Sequence, residues 1–147
     1  MKEYLLNILD SEKSIVEELL RIDNRIQFTD YTYEYIYNKI YNFNKFDNKL
    51  NDKYIVITDG EIDTILYILF NYIDNTIVLN INHKTIGLYK WLISRVNEYY
   101  NKNIILDINN NYELYDKYDN ILIAGFIEFV EGTSLLYENK NIVKIEI

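Results

Sequence analysis

The 147-residue chain contains no cysteine and no proline. The missing cysteine excludes disulfides, thiolate zinc sites, iron–sulfur clusters and cysteine nucleophiles. Glycine occurs four times, arginine three times (Arg21, Arg25 and Arg95) and alanine once, as Ala124. Histidine occurs once, as His83, so one chain cannot build a histidine-based metal site, and Ser-His-Asp chemistry would have to use this single residue. No apolar run approaches the roughly 20 residues that span a bilayer, and the opening MKEYLLNILDSEKS is acidic where a signal peptide would be apolar. These absences lead us to expect an intracellular, cytoplasmic chain without a membrane partner. Neither G-x-G-x-x-G nor G-x-x-x-x-G-K-[ST] occurs, which argues against a conventional dinucleotide or P-loop site.

What is present is globular: 49% of residues are hydrophobic and 26% charged, over the length of one ordinary domain. A chain of this size buries roughly 70% of its unfolded surface, enough for a core without covalent staples. The net charge is −8, from 15 basic against 23 acidic residues. That balance disfavours nucleic acid as a partner and suits a basic protein. Asparagine, isoleucine, tyrosine and lysine, which have AT-rich codons, crowd the sequence, while residues with GC-rich codons are scarce. An AT-rich genome (a low-GC bacterium, a phage or a large virus) is the simplest source of the 16 tyrosines.

Residues 1–50 read as a helical N-terminal extension. Leu5, Leu6, Ile8 and Leu9 start an apolar stripe that resumes at Ile15, Val16, Leu19, Leu20 and Ile22, close to a 3.6-residue period. Ser14 with Glu17 can form a capping box and Asp10-Ser11 can interrupt the helix, so one long and two short helices are both open. A further helical pattern runs through Tyr33, Ile36, Tyr37, Ile40 and Tyr41, and the polar stretch 44–52 closes the extension. The texture changes at Lys53. Apolar, β-branched runs at 54–58, 76–81, 103–108, 121–126 and 141–147 alternate with helical patterns at 62–73 and 85–100 and a short candidate at 112–118. Such alternation predicts an α/β core over 53–147: a mainly parallel sheet of about four or five strands, flanked by helices in a Rossmann-like, three-layer arrangement. The whole of 1–147 reads as one domain.

In an open parallel sheet, ligands bind beyond the carboxyl ends of the strands. The groups there are Thr58-Asp59-Gly60-Glu61, Asn80 to Lys84, Asp107 to Asn111 and Ala124-Gly125. The first and third carry acidic and amide oxygens, the hard ligands that Mg²⁺ accepts. Asp59, Asp107 and Asn109 are therefore the candidate metal ligands, and Asp63 is placed to accept amides at a helix start. Each has a plainer use: Asp59 and Glu61 in a turn and cap, Asp107 solvated among asparagines, His83 exposed in a loop. Ser94 falls within a helix, Ser134 in a loop, and Trp91 on an apolar helical stripe. Nothing around either serine resembles a nucleophile elbow.

The segment Ile55-Val-Ile-Thr-Asp-Gly-Glu-Ile-Asp63 resembles the first motif of Toprim domains of primases, topoisomerases and related nucleases. Gly60 and Asp63 match that motif, Asp59 stands where the family has its glutamate, and the resemblance covers residues 53–125. It implies that Asp59 and Asp107 are the catalytic carboxylates, Asp59 as general acid/base, and that an Asp-x-Asp pair binds Mg²⁺ where this chain has Asp107-Ile108-Asn109 or, in an alternative register, Asn109-Asn110-Asn111. A shorter carboxylate and an amide at those positions imply impaired catalysis. Two functions follow: a divergent, catalytically impaired Toprim-like protein of nucleic-acid metabolism, or a non-catalytic interaction protein such as an inhibitor, immunity or anti-defence factor. In the second, Tyr31, Tyr33, Tyr35, Tyr37 and Tyr41 are candidate interface anchors.

Overall fold

Five short stretches rich in isoleucine and valine lie side by side, because β-branched side chains suit the pleated, half-buried surface of a sheet. The computed structural model describes residues 1–46, 55–71, 76–81, 86–107 and 116–147. In chain order these form α1 (Lys2–Ser11), α2 (Lys13–Gln27), α3 (Tyr33–Tyr41), β1 (Ile55–Thr58), α4 (Ile62–Asn71) and β2 (Thr76–Ile81). There follow α5 (Ile86–Tyr100), β3 (Asn103–Asp107), β4 (Asn120–Gly125), α6 (Ile127–Ser134), a 3₁₀ turn (Leu135–Tyr137) and β5 (Asn141–Glu146). The class is α/β. All pairings are parallel, in the order β3-β2-β1-β4-β5.

β1 is the central strand, and all four of its residues are buried, as a continuous apolar run requires when both faces are covered. Its side chains divide between two cores. Val56 joins Leu122 and Ala124 of β4 under α4 and α5, while Ile55 and Ile57 join Ile121, Ile123 and Val130 of α6 on the other face. α4 is apolar nearly all round, and eight of its ten residues are buried, because the sheet lies on one side and α3 on the other.

The N-terminal helices add a layer to that same core. Leu5, Leu9, Val16, Leu20, Ile36 and Ile40 are buried in one cluster with Leu66 and Leu92. Each such side chain contributes about 1.5–3 kcal/mol when fully buried, so this layer is integral to the fold. The chain breaks at Glu12 (φ −116°, ψ 29°), giving two helices. The Ser14–Glu17 capping box does not form, because α2 already starts at Lys13; Glu12 instead pairs with Arg95 of α5. α2 buries Val16, Leu20 and Asp23, whereas Ile15 and Ile22 of the expected stripe face outward. Asp23 is the unexpected member. Its two carboxylate oxygens accept the N–H groups of Gly87 and Leu88, both at 3.0 Å, and so cap α5 from another helix. A Cβ at position 87 would stand 3.0 Å from Asp23 Oδ1, so glycine there permits the close approach.

Ser134, expected in a loop, instead ends the helix α6. Gly132, Thr133 and Ser134 are weak helix formers, but two parallel strands need a crossover, and α6 provides it between β4 and β5. Ser134 is buried at its end, its Oγ donating to Glu131 O at 2.9 Å. The candidate helix at 112–118 lies mostly outside the described residues, and Tyr118 is not helical. Trp91 is half-buried against the core, with no hydrogen-bond partner for Nε1 among the described residues.

Candidate functional site

The chain winds from β1 through β2 to β3 in one direction, then returns to lay β4 on the opposite side of β1. The crevice above β1 and β4 is therefore the switch point at which open α/β sheets receive ligands. Its floor is built by Thr58, Asp59, Gly60, Gly125 and Phe126.

Gly60 turns the chain from strand to helix with φ 78°, a left-handed conformation that costs glycine little. Thr58 Oγ1 accepts the Gly60 N–H at 3.3 Å, and the Tyr89 hydroxyl, buried on α5, donates to Gly60 O at 2.5 Å. Asp59 is only 9% exposed. Its Oδ1 accepts the Glu61 N–H at 3.0 Å, closing an Asx turn, and its Oδ2 accepts the Phe126 N–H at 2.8 Å across the crevice. Gly125 lets the two strand ends meet. A Cβ there would lie 2.6 Å from Asp59 Oδ2 and 2.8 Å from a Phe129 ring carbon. The carboxylate that the sequence offers as a catalyst thus bridges β1 to the loop after β4, with an amide on each oxygen.

The other expected ligands are elsewhere. Asp107 ends β3, paired in register with Asn80 of β2, and is half-buried. β2 separates β3 from β1, so the two strand ends stand about 10 Å apart at the usual spacing between strands. Asp59 moreover leans towards β4, away from β3. A shared Mg²⁺ needs oxygens about 2.1 Å from one centre, whereas both oxygens of Asp59 accept main-chain amides, of Glu61 and of Phe126 beside β4. Asn109, His83 and Lys84 lie outside the described residues. Among the described residues no group of three or more His, Cys, Asp or Glu side chains could hold a metal.

Asp63, expected to accept helix-start amides, binds Lys39 Nζ of α3 with both oxygens at 3.0 and 3.1 Å. That hydrogen bond raises the Lys39 ammonium above the ordinary lysine range. The pair borders a cleft of about 320 Å³ between α3 and the start of α4, which Asn38 and Asn42 also line.

The tyrosines of α3 are mostly engaged with one another. Tyr31 stacks on Tyr35 at 5.3 Å and Tyr37 on Tyr41 at 6.4 Å, while Tyr33 is buried and donates to Asp10 at 3.2 Å. Burial and that bond hold the Tyr33 hydroxyl up to about 12. Only Tyr35 and Tyr41 are exposed enough to anchor a partner.

Sequence reasoning placed Gly125 at the head of its strand but missed Asp23, Tyr89 and Phe126 as builders of this architecture. A charged residue seven and three positions along from Val16 and Leu20 was a legible signal for Asp23, because an aspartate on a buried helical face needs partners. Nothing local marks Tyr89 or Phe126, whose roles depend on the other strand and helix. No helix among the described residues is long and apolar enough to cross a membrane. Comparison with protein-family models, curated proteins and solved structures finds no match to this chain.

Proposed function

We propose that this chain is a non-catalytic binding protein on a Rossmann-like frame, acting through its acidic surface on a basic protein partner. The observation that carries this reading is the use made of Asp59. Both oxygens are bound to main-chain amides in the one crevice where an open α/β sheet ordinarily does its chemistry. A carboxylate held in this way joins two strand ends and has little freedom to shuttle protons or to bind a cation.

The cations support the same reading. Arg21 is paired with Glu18, Lys39 with Asp63 and Arg95 with Glu12, and Lys2 donates to the carbonyls of Tyr41 and Phe43. A nucleic-acid enzyme offers free cations along a track, whereas among the described residues these cations are engaged, and the net charge is −8. A divergent Toprim-like ancestry with its chemistry lost is compatible with this frame, because the Asp59-Gly60 turn still heads β1.

The test is calorimetric titration of Mg²⁺ and Mn²⁺ into the wild-type chain and Asp59→Ala, together with affinity capture from the native host. No metal heat in either protein, and a captured basic protein released by salt, are the expected results. Metal heat that Asp59→Ala abolishes, or recovery of nucleic acid in place of protein, overturns the reading.

A further inference from the structure

Residues 126–138 carry a surface whose composition differs from the rest of the molecule. The segment reads FIEFVEGTSLLYE and contains three glutamates and no lysine, arginine or histidine. Glu128, Glu131 and Glu138 are all exposed. Four large apolar residues are exposed among them: Phe126 (42%), Ile127 (51%), Leu135 (68%) and Leu136 (76%). On α6, Ile127 and Glu131 are one turn apart and Leu135 follows a turn later, so the three share one outward side. Val130 and Ser134 are buried on the inward side, which fixes the orientation of the helix. The site needs no rearrangement to be reached.

We infer that the outer face of α6 and its 3₁₀ turn docks a cationic amphipathic segment of a partner protein, with Leu135, Leu136 and Ile127 taking its apolar side chains and Glu128, Glu131 and Glu138 its lysines or arginines. This inference rests on the reading of the chain as an acidic binding protein and names the surface that does the binding. The sign of the charge selects the occupant. A second copy would set three glutamates against three more, on two bodies of net charge −8. Nucleic acid and anionic lipid are repelled for the same reason. A purely polar basic segment would leave the leucine pair in water. Only a partner combining positive charge with apolar side chains satisfies both halves of the surface. Phe126 ties the face to the crevice, since its N–H is the group that Asp59 holds.

The experiment is an amide chemical-shift titration of the full chain with a synthetic helical peptide of about 18 residues, leucine on one face and lysine on the other. Its controls are the same peptide with glutamate for lysine and one with serine for leucine. The expected result is that shifts centre on residues 126–138, that affinity falls steeply between about 50 mM and about 500 mM salt, and that neither control binds. Leu135→Ser with Leu136→Ser, on side chains already in water, lowers affinity at least about tenfold, and Glu128→Lys with Glu131→Lys does the same. Both double variants keep the wild-type spectrum elsewhere. Shifts centred on another face, or double variants that bind as tightly as wild type, overturn the assignment. If a native basic partner is captured and the Leu135/Leu136 variant retains it, this surface is wrong while the binding reading stands; if no basic partner is captured, the binding reading itself falls.

Discussion

The head of β1 and the head of β3 are made from the same ingredients, a short isoleucine-rich strand ending in an aspartate, and the fold uses them differently. At β1 the neighbouring strand end brings the Phe126 N–H to within 2.8 Å of Asp59, and a glycine opposite leaves room for the carboxylate. At β3, which borders the sheet, Asp107 has a neighbouring strand on one side only and remains half-buried. The role of a strand-end carboxylate is thus set by what arrives beside it. A motif that names the strand, the turn and the acid leaves that role undetermined. Asp23 teaches the same lesson from the helical layer, where a single aspartate holds the start of a distant helix.

Three substitutions would break or sharpen this contrast. Asp59→Ala strands two main-chain donors in a nearly buried crevice, and urea denaturation should show a loss of about 3–4 kcal/mol. Gly125→Ala forces a methyl group against Asp59 Oδ2 and the Phe129 ring. It should cost about 2 kcal/mol on its own, and less in the Asp59→Ala background, because the two changes act on one contact. Asp107→Ala, at a half-buried position on an edge strand, should cost about 1 kcal/mol, clearly less than Asp59→Ala. Equal losses from Asp59→Ala and Asp107→Ala would erase the distinction between the two strand heads.

Much of the frame was legible. The runs at 54–58, 76–81, 103–108, 121–126 and 141–147 each match an observed strand to within a residue at either end, and helices occupy most of 62–73 and 85–100, because hydrophobic period and β-branching are local properties. The Gly60 turn was legible too, since Asp-Gly after a strand signals a reversal of direction. The outward turn of Ile15 and Ile22 was not, because α2 has more apolar residues than one buried face can use. The ladder of tyrosines on α3 was visible as spacing, but its members could equally have faced a partner; packing on one another settled most of them.

Sequence alone determined the alternation of strands and helices, the absence of thiol and multi-histidine chemistry, and a surface of net negative charge, all of which follow from residue identity and short-range spacing. Tertiary structure alone decided that β4 lies beside β1, that Asp59 spends its oxygens on main-chain amides and that Asp107 stands two strands away. Those outcomes depend on the order in which parallel strands assemble, and identical local runs permit many orders. The crevice therefore took its character from contacts between residues up to 67 positions apart, a distance over which no periodicity carries information.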